Sequence, residues 1–302
     1  MALRKKQISI IVTAGAFSSF LIFGFTDNLK GPILPVLLEE FSLSYAQGSN
    51  ILIMLHLGVM LSILGSGFIA GKYGNRNVLL LAGVVISVAV TGMSMVQDQI
   101  FLYPLYFAIG IALGAFEIGA NGAITDIYHG NSGKYLNLLA VFHGAGSMAA
   151  PWITGILLAK GIPWQIVYKG SILPILLLPL IFIFLKLMTI GVPKPQSDND
   201  NKKSFILLNK NLVLLALLIF LYVASEISVA SWLVEYLYKV RAFSLKSASI
   251  MLTVFWGLVM LGRVIASFVV DRIGYMRSLI ISVSLAIISF GAGIFPGEIY
   301  SY

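Results

Sequence analysis

The stretch Ile109–Pro151, IGIALGAFEIGANGAITDIYHGNSGKYLNLLAVFHGAGSMAAP, decides how the chain folds. It contains two apolar segments joined by a short polar turn, and each segment is long enough to cross a membrane as a helix. A carboxylate, Glu117, lies near the middle of the first segment. Because an ionisable group at membrane depth costs at least about 2.5 kcal/mol, such a group usually faces a partner or a water-filled cavity. Glu117 is therefore either part of a functional site or a structural carboxylate satisfied by a neighbouring side chain.

Polar and small residues share one face of this first helix with Glu117. Asn121 and Thr125 follow it at intervals of four residues, so the three side chains form one stripe. Gly110 and Gly114 form a small-xxx-small pair, which lets a neighbouring helix approach closely. We therefore expect close helix packing beside a sheltered carboxylate.

The composition excludes a water-soluble globular protein. Of the 302 residues, 59% are hydrophobic and only 11% are charged, with a mean hydropathy of +0.95, whereas about a quarter of the residues in soluble domains are charged. The net charge is +8, but Lys and Arg cluster between apolar segments, which indicates topology control rather than nucleic-acid binding. The chain has no cysteine, so disulfides and Cys-ligated metals are not expected.

Apolar segments long enough to span a bilayer, at about 20 residues per crossing, occur nine times. Helix is the expected conformation because a spanning segment must satisfy its own backbone hydrogen bonds, and the alternating pattern of barrel strands is absent. The predicted fold class is an all-α polytopic membrane protein, with spans near 8–37, 48–70, 77–97, 100–127, 135–159, 164–187, 209–235, 246–270 and 277–296.

The loops predict the orientation and the domain boundaries. One set of loops holds most of the Lys and Arg, which places the N-terminus in the cytoplasm, although Lys239, Arg241 and Lys246 run against this rule. The initial MALRKK with its apolar run predicts a retained first helix rather than a signal peptide. We expect a six-helix N-terminal bundle over 1–187, a cytoplasmic linker over 188–208 and an incomplete C-terminal bundle of about three helices over 209–302.

An internal repeat relates the two bundles. The turn Gly71-Lys72-Tyr73-Gly74 aligns with Asp271-Arg272-Ile273-Gly274 at an offset of 271 − 71 = 200 residues. At nearly the same offset, 226 − 27 = 199, the first helix of each bundle carries a carboxylate, Asp27 or Glu226. The position equivalent to Glu117 lies beyond the last residue, so the second bundle is expected to be truncated after its third helix.

These features resemble the major facilitator superfamily, whose members have two six-helix halves. The family signature between helices two and three has the form Gly-x-x-x-Asp-Arg-x-Gly-Arg-Arg. The run from Gly67 to Arg76 is similar to it, except that Gly71 replaces the Asp, which argues against a charge latch in the N-terminal half. The resemblance implies a cytoplasmic gating motif made of Gly67, Gly71, Lys72, Gly74, Arg76, Asp271, Arg272 and Gly274.

Within the superfamily, the chain resembles the fucose–galactose–glucose:proton symporters. Three groups of segments carry this likeness: AFEIGANGAITDI with KYLNLLAVFHGAGSMAAP, FTDNLKGPILP, and SEISVASWLVEY with FWGLVMLGR. The resemblance implies proton-coupled sugar uptake by alternating access, and Asn137 matches the family's polar position on the fifth helix. One departure is Gly31, where the fucose permease pattern has an acid, and Asp27, a turn earlier, is expected to replace it in part.

Prolines follow the first acidic position. Asp27 and Asn28 precede Pro32 and Pro35, and proline removes a backbone donor and disfavours helix in the residue before it. We therefore expect the helix to bend or unwind here. Asp27 and Asn28 then lie either in a polar pocket within the membrane or at a helix end close to water.

The candidate solute and proton site combines acids with amides and aromatic side chains. A buried carboxylate can exchange protons near neutral pH, and an amide offers a donor and an acceptor to a hydroxyl-rich ligand. Trp256 either stacks on a pyranose ring or anchors its helix at the interface, while His56 and His143 are either proton relays or structural residues. The predicted substrate- and proton-binding residues are Asp27, Asn28, Glu117, Asn121, Asn137, Glu226, Trp232 and Trp256.

Three functions are open on these patterns. The first is a multi-pass symporter of the plasma or inner membrane that takes up a small polar solute with protons. The second is a proton-coupled exporter, because Ala150-Pro151-Trp152 resembles the bend of drug–proton antiporters. The third is a truncated remnant that inserts without transporting.

Other classes of function lack the residues that they require. No phosphate-cradling glycine loop, catalytic triad or metal-ligand spacing is present, so we expect no enzyme activity, cofactor or metal. The expected partners are a small-molecule substrate, protons and the lipid bilayer, with no nucleic acid, and the chain is expected to be monomeric.

Overall fold

The computed structural model describes residues 2–129, 132–188 and 210–294. Within these ranges, the side chains of residues 2–6, 185–188, 211, 267–271, 275, 290 and 292–294 are not described. The predicted linker lies outside the described residues, except for position 188.

Helices account for nearly all of the described chain, and these ranges contain no strand. A 3₁₀ turn, Gln99–Phe101, precedes the fifth helix, and a π-helical turn, Tyr236–Val240, follows the eighth. The helices are α1 (Ala2–Asn28), α2 (Lys30–Glu40), α3 (Tyr45–Tyr73), α4 (Asn75–Met93), α5 (Leu102–Ile127), α6 (Ser132–Ala159), α7 (Trp164–Met188), α8 (Lys210–Glu235), α9 (Leu245–Ile273) and α10 (Tyr275–Ile294). The predicted all-α fold is confirmed.

The predicted membrane spans coincide with these helices. Eight segments of the described chain are long and apolar enough to cross a membrane, and α10 adds a shorter apolar segment, Met276–Ser289. The first span, Gln7–Glu40, includes both α1 and α2. We call the membrane face at which α1 begins the N-terminal side, and the face at which α2 ends the opposite side.

The interruption expected near the prolines is present at Leu29. Pro32 has no N–H to donate to the Asn28 carbonyl, and the first hydrogen bond after the break runs from the Ile33 N–H to the Leu29 carbonyl at 3.2 Å. Leu29 keeps helical angles (φ −60°, ψ −33°), so the hydrogen-bond ladder breaks without unwinding the chain. Asn28 is only 1% exposed, which excludes a helix end close to water.

The glycines of α5 allow α3 to approach closely, as predicted. A Cβ atom on Gly110 would overlap the Leu55 carbonyl oxygen, and one on Gly114 would crowd the Val59 carbonyl oxygen. Gly58 of α3 fits in the same way against the Phe107 carbonyl oxygen. These contacts place α5 in the centre of the N-terminal bundle, where it packs against α3, α4 and α1.

Replacing Gly110 by alanine is expected to lower stability by about 1–3 kcal/mol, because the added methyl group overpacks the contact between α3 and α5. The matched control is Gly65→Ala, since a Cβ at Gly65 meets no atom within 4 Å and alanine favours the helix. Thermal unfolding of the detergent-solubilised protein measures both variants. Equal stability of Gly110→Ala and Gly65→Ala would contradict this packing.

The two turns aligned by the internal repeat have the same backbone conformation. Gly74 ends α3 with φ +85°, and Gly274 ends α9 with φ +86°. This left-handed region favours glycine, which explains glycine at both positions. The chain divides into two compact units, Met1–Trp256 and Gly257–Tyr302, and the predicted boundaries of the bundles stay predictions.

Candidate functional site

A buried ion pair lies on the first span. Lys30 Nζ donates to Asp27 Oδ1 at 2.5 Å, and their side chains are 4% and 18% exposed, respectively. The pair bridges the break at Leu29. Asp27 and Lys30 precede the end of the span at Glu40 by 40 − 27 = 13 and 40 − 30 = 10 residues, or about 15–20 Å of helix. The pair therefore lies near the middle of a hydrocarbon layer about 30 Å thick.

Two histidines from other helices join this pair. His56 of α3 and His143 of α6 are close enough for their charges to act on Asp27, and those of Lys30 and Asp27 act on His56. His56 Nε2 is buried without a hydrogen-bond partner in the described chain. We refer to Asp27, Lys30, His56 and His143 as the buried charge cluster.

Small residues bring α6 close enough to α1 to place His143 in this cluster. A Cβ atom on Gly24 would overlap the His143 carbonyl oxygen, and one on Gly146 would overlap the Leu21 carbonyl oxygen. The His143 ring meets Phe23 edge-on at 4.7 Å between centroids, and Ser147 Oγ lies 3.4 Å from its Nδ1. The imidazole is thus held between an aromatic side chain and a hydroxyl group.

Two of the predicted site residues border the cluster. Trp256 of α9 is 8% exposed and lies edge-on to His143, with ring centroids 6.4 Å apart. Its Nε1 is buried and has no acceptor among the described residues. Asn28 is buried and its amide donates to the Gly24 carbonyl at 2.9 Å, so this amide N–H already has a partner within α1.

The other predicted acids lie on α5 and α8. Glu117 on α5 and Glu226 on α8 are both half-buried, and neither is among the groups whose charges act on Asp27. Asn121 is half-buried one turn after Glu117, and Asn137 is exposed near the start of α6. A single crevice lined by all three acids therefore stays a prediction.

Trp232 lies at the opposite side, where the end of α8 meets α2 and α3. Its ring is 5.9 Å from that of Tyr45, and the Tyr45 hydroxyl donates to Glu235 Oε1 at 3.2 Å. Lys239 Nζ pairs with Glu39 Oε1 at 2.5 Å, with both side chains exposed. We refer to the Tyr45–Glu235 and Glu39–Lys239 interactions as the opposite-side contact.

The predicted gating turn lies at the N-terminal side and includes an acid that sequence reasoning missed. Asn75 Nδ2 donates to Asp126 Oδ2 at 2.8 Å, and the charge of Asp126 acts on Arg76. Asp126, near the end of α5, thus provides a charged contact although Gly71 replaces the expected acid. The remaining motif residues Gly67, Gly71, Lys72, Gly74 and Arg272 are exposed, Gly274 forms the second turn, and the Asp271 side chain lies outside the described residues.

Comparison with known proteins agrees with this architecture. The profile of the Major Facilitator Superfamily matches residues 16–302. The chain belongs to the major facilitator superfamily. This family consists of transporters rather than enzymes, so the predicted superfamily and the multi-pass membrane location are confirmed.

Individual relatives are distant. The chain is 26% identical over 275 residues to a protein TsgA homolog of Buchnera aphidicola, covering 89% of this chain and 70% of the relative. It is 26% identical over 172 residues to the inner membrane transport protein YdiN of Escherichia coli, covering 57% of this chain and 40% of that protein.

Two solved structures share the fold. A bacterial homolog of the human lysosomal transporter Spinster, in an inward-facing and unoccupied conformation, superposes with a TM-score of 0.66 at 16% identity over 89% of this chain and 63% of its own. The nucleoside transporter NupG gives 0.63 at 14% identity over 88% of this chain and 69% of its own. The chain thus spans about two thirds of the length of both transporters.

Proposed function

We propose that the protein is a proton-coupled secondary transporter that takes up a small polar solute by alternating access. The solute class implied by the resemblance to the fucose–galactose–glucose:proton symporters is a sugar. The protein acts as a monomer in the plasma or inner membrane. Its N-terminus lies in the cytoplasm, because the loops on that side carry most of the positive charge.

The buried charge cluster carries this proposal. Ionisable groups within membrane spans are expensive and usually lie on substrate or proton pathways. Here, the Asp27–Lys30 ion pair lies beside the interrupted first helix, within electrostatic range of one histidine from α3 and one from α6. Broken helices that expose polar groups at the midplane are typical of solute sites in secondary transporters. Glu117 and Glu226 provide further proton-binding groups on α5 and α8.

The arrangement of α8 supports alternating access. Residues 232–239 of α8 and the following turn meet α2 and α3 in the opposite-side contact. If the N-terminus is cytoplasmic, the opposite side faces the exterior, and the opposite-side contact corresponds to a state that is closed towards the exterior. Transport then requires the opposite-side contact to open.

Purified full-length protein in proteoliposomes tests the proposal. An inwardly directed pH gradient is expected to drive accumulation of solute above its external concentration, and a solute gradient alone is expected to move protons. A pH dye trapped in the vesicles reports the second effect, with protein-free vesicles as the control. Solute entry that never exceeds equilibration would contradict proton coupling, and the absence of solute entry would contradict the transport function.

A further inference from the structure

Glu235, the last residue of α8, is the buried acid of the opposite-side contact. It is only 4% exposed. Its Oε1 accepts from the Tyr45 hydroxyl at 3.2 Å, whereas its Oε2 is buried and has no hydrogen-bond partner in the described chain. Buried polar atoms are nearly always hydrogen-bonded, and a buried charge is costly unless it is paired and hydrogen-bonded. Glu235 is therefore poorly suited to carry a full negative charge while the contact is closed.

The cation nearest to Glu235 is already engaged by another acid. Lys239 Nζ pairs with Glu39 Oε1 at 2.5 Å, and the charges of both residues act on Glu235. Lys239 attracts a negative charge on Glu235, and Glu39 repels it, so the two effects oppose each other. The Glu39–Lys239 pair is exposed to water, whereas the acid beside it is buried. The attraction by Lys239 thus compensates the burial of Glu235 only in part.

Few other groups interact with this carboxyl group. Among the residues that the structure describes, Tyr45 of α3, Glu39 of α2 and Lys239 of the turn after α8 are those that interact with Glu235. Glu226 precedes Glu235 on α8 by 235 − 226 = 9 residues, or about 14 Å of helix. The other titratable groups at the opposite side on α2, the turn after α8 and the start of α9 are Glu40, Tyr236, Tyr238, Arg241 and Lys246.

We propose that Glu235 is an external proton-binding site whose occupation closes the opposite-side contact. While the contact is open, a proton from external water binds to Oε2 and neutralises the carboxyl group. Closure then buries the neutral group, while Oε1 still accepts from the Tyr45 hydroxyl. This inference rests on the proposed transport function, in which the opposite side faces the exterior. It names the residue at which an external proton first binds, and it explains why the transporter does not close towards the exterior without one.

Spin labels on the two sides of the contact test the link between protonation and closure. Because the chain has no cysteine, Gln97→Cys/Lys246→Cys carries labels only at these two positions, which are exposed at the opposite side. Pulsed EPR of the full-length protein in lipid nanodiscs then measures the ratio of closed to open protein. The ratio is expected to rise as the pH is lowered from about 8 to about 5, by up to about tenfold per pH unit, which is the limit for one bound proton.

Glu235→Gln in this labelled background tests the residue itself. Glutamine keeps an oxygen acceptor for the Tyr45 hydroxyl but does not titrate, so the closed form is expected to predominate at every pH and the pH dependence to be lost. Glu40→Gln is the matched control and is expected to keep the dependence. Glu40 is an exposed acid of the same side that already accepts from Trp164 Nε1 at 2.8 Å.

Infrared difference spectra give a second readout, which a purely structural role of Glu235 would not change. At low pH, the C=O stretch of a protonated carboxyl group is expected to be weaker in Glu235→Gln than in the unmodified protein. The same band is expected at full intensity in Glu40→Gln. If Glu235→Gln removes no such band, Glu235 does not bind the proton and the inference fails.

The EPR outcomes separate this inference from the function beneath it, because they require no solute. A closed-to-open ratio that does not change with pH, or that changes equally in Glu235→Gln and in the unmodified protein, would overturn the role of Glu235. Proton-coupled uptake beside either result would leave the transport function standing. Closure that depends on pH through Glu235, without any solute-driven proton movement, would support the proton site and contradict the proposed function.

Discussion

Replacing Lys30 by methionine is expected to destabilise the protein by about 3–5 kcal/mol, because Asp27 then remains buried without its partner. Lys30 and Asp27 are 4% and 18% exposed, so little water replaces the lost ammonium group. The desolvation cost of the carboxylate then exceeds anything that the added methionine recovers by packing. Thermal and denaturant unfolding in detergent measure this loss.

The double variant Asp27→Asn/Lys30→Met separates the effect of an unpaired charge from the effect of changed side-chain packing. Exchanging a complete buried ion pair for neutral side chains is often neutral or stabilising, so the double variant is expected to recover most of the loss. Lys169→Met controls for removal of a lysine from a membrane helix, since Lys169 is exposed. If Lys30→Met is as stable as Lys169→Met, the ion pair does not contribute as the structure indicates.

Bridging the opposite-side contact is expected to abolish transport. In the structure, Glu39 of α2 forms an ion pair with Lys239 of the turn after α8. Because the chain contains no cysteine, a short bifunctional thiol reagent reacts only at Glu39→Cys/Lys239→Cys. A bridge between these positions holds the opposite side closed, and alternating access requires it to open. Solute uptake by the bridged protein is expected to fall to the level of protein-free vesicles.

The controls for the bridge are contained in the same experiment. Each single cysteine variant, treated with the same reagent, is expected to transport at the untreated rate, since the exposed Glu39–Lys239 pair itself contributes at most about 1 kcal/mol. A reagent with an internal disulfide allows recovery of uptake after reduction. Transport at the normal rate with the bridge intact would show that the two helices need not separate.

Local patterns in the sequence predicted the fold well. Runs of apolar residues marked the spans because a membrane helix must satisfy its backbone internally, and Pro32 marked the break at Leu29 because proline lacks a donor. Gly110 and Gly114 indicated the close contact with α3 because small residues let helices approach. In each case the predictive pattern consists of residues that lie close together in the sequence.

The buried charge cluster was only partly predictable. Asp27 was identified because it interrupts an apolar span, but Lys30, three residues later, was missed even though the same reasoning applies to it. His56 and His143 were candidate proton relays, but their approach to Asp27 depends on the packing of α3 and α6 near α1 and has no local signal. The contact of Asp126 with Asn75 likewise spans 51 residues, so spacing along the chain did not indicate it.

The central claim is tested most directly by solute-driven proton movement in proteoliposomes containing Asp27→Asn/Lys30→Met, which removes the acid without leaving Lys30 unpaired. Solute exchange under equal concentrations on both faces is measured beside it. Asp27 is the acid of the buried charge cluster, so its loss is expected to remove proton movement and accumulation against a gradient while exchange continues. Asp98→Asn is the matched control, since Asp98 lies outside the spans and caps the turn at Gln99–Phe101. Proton movement by Asp27→Asn/Lys30→Met at the rate of the unmodified protein would contradict the role of Asp27.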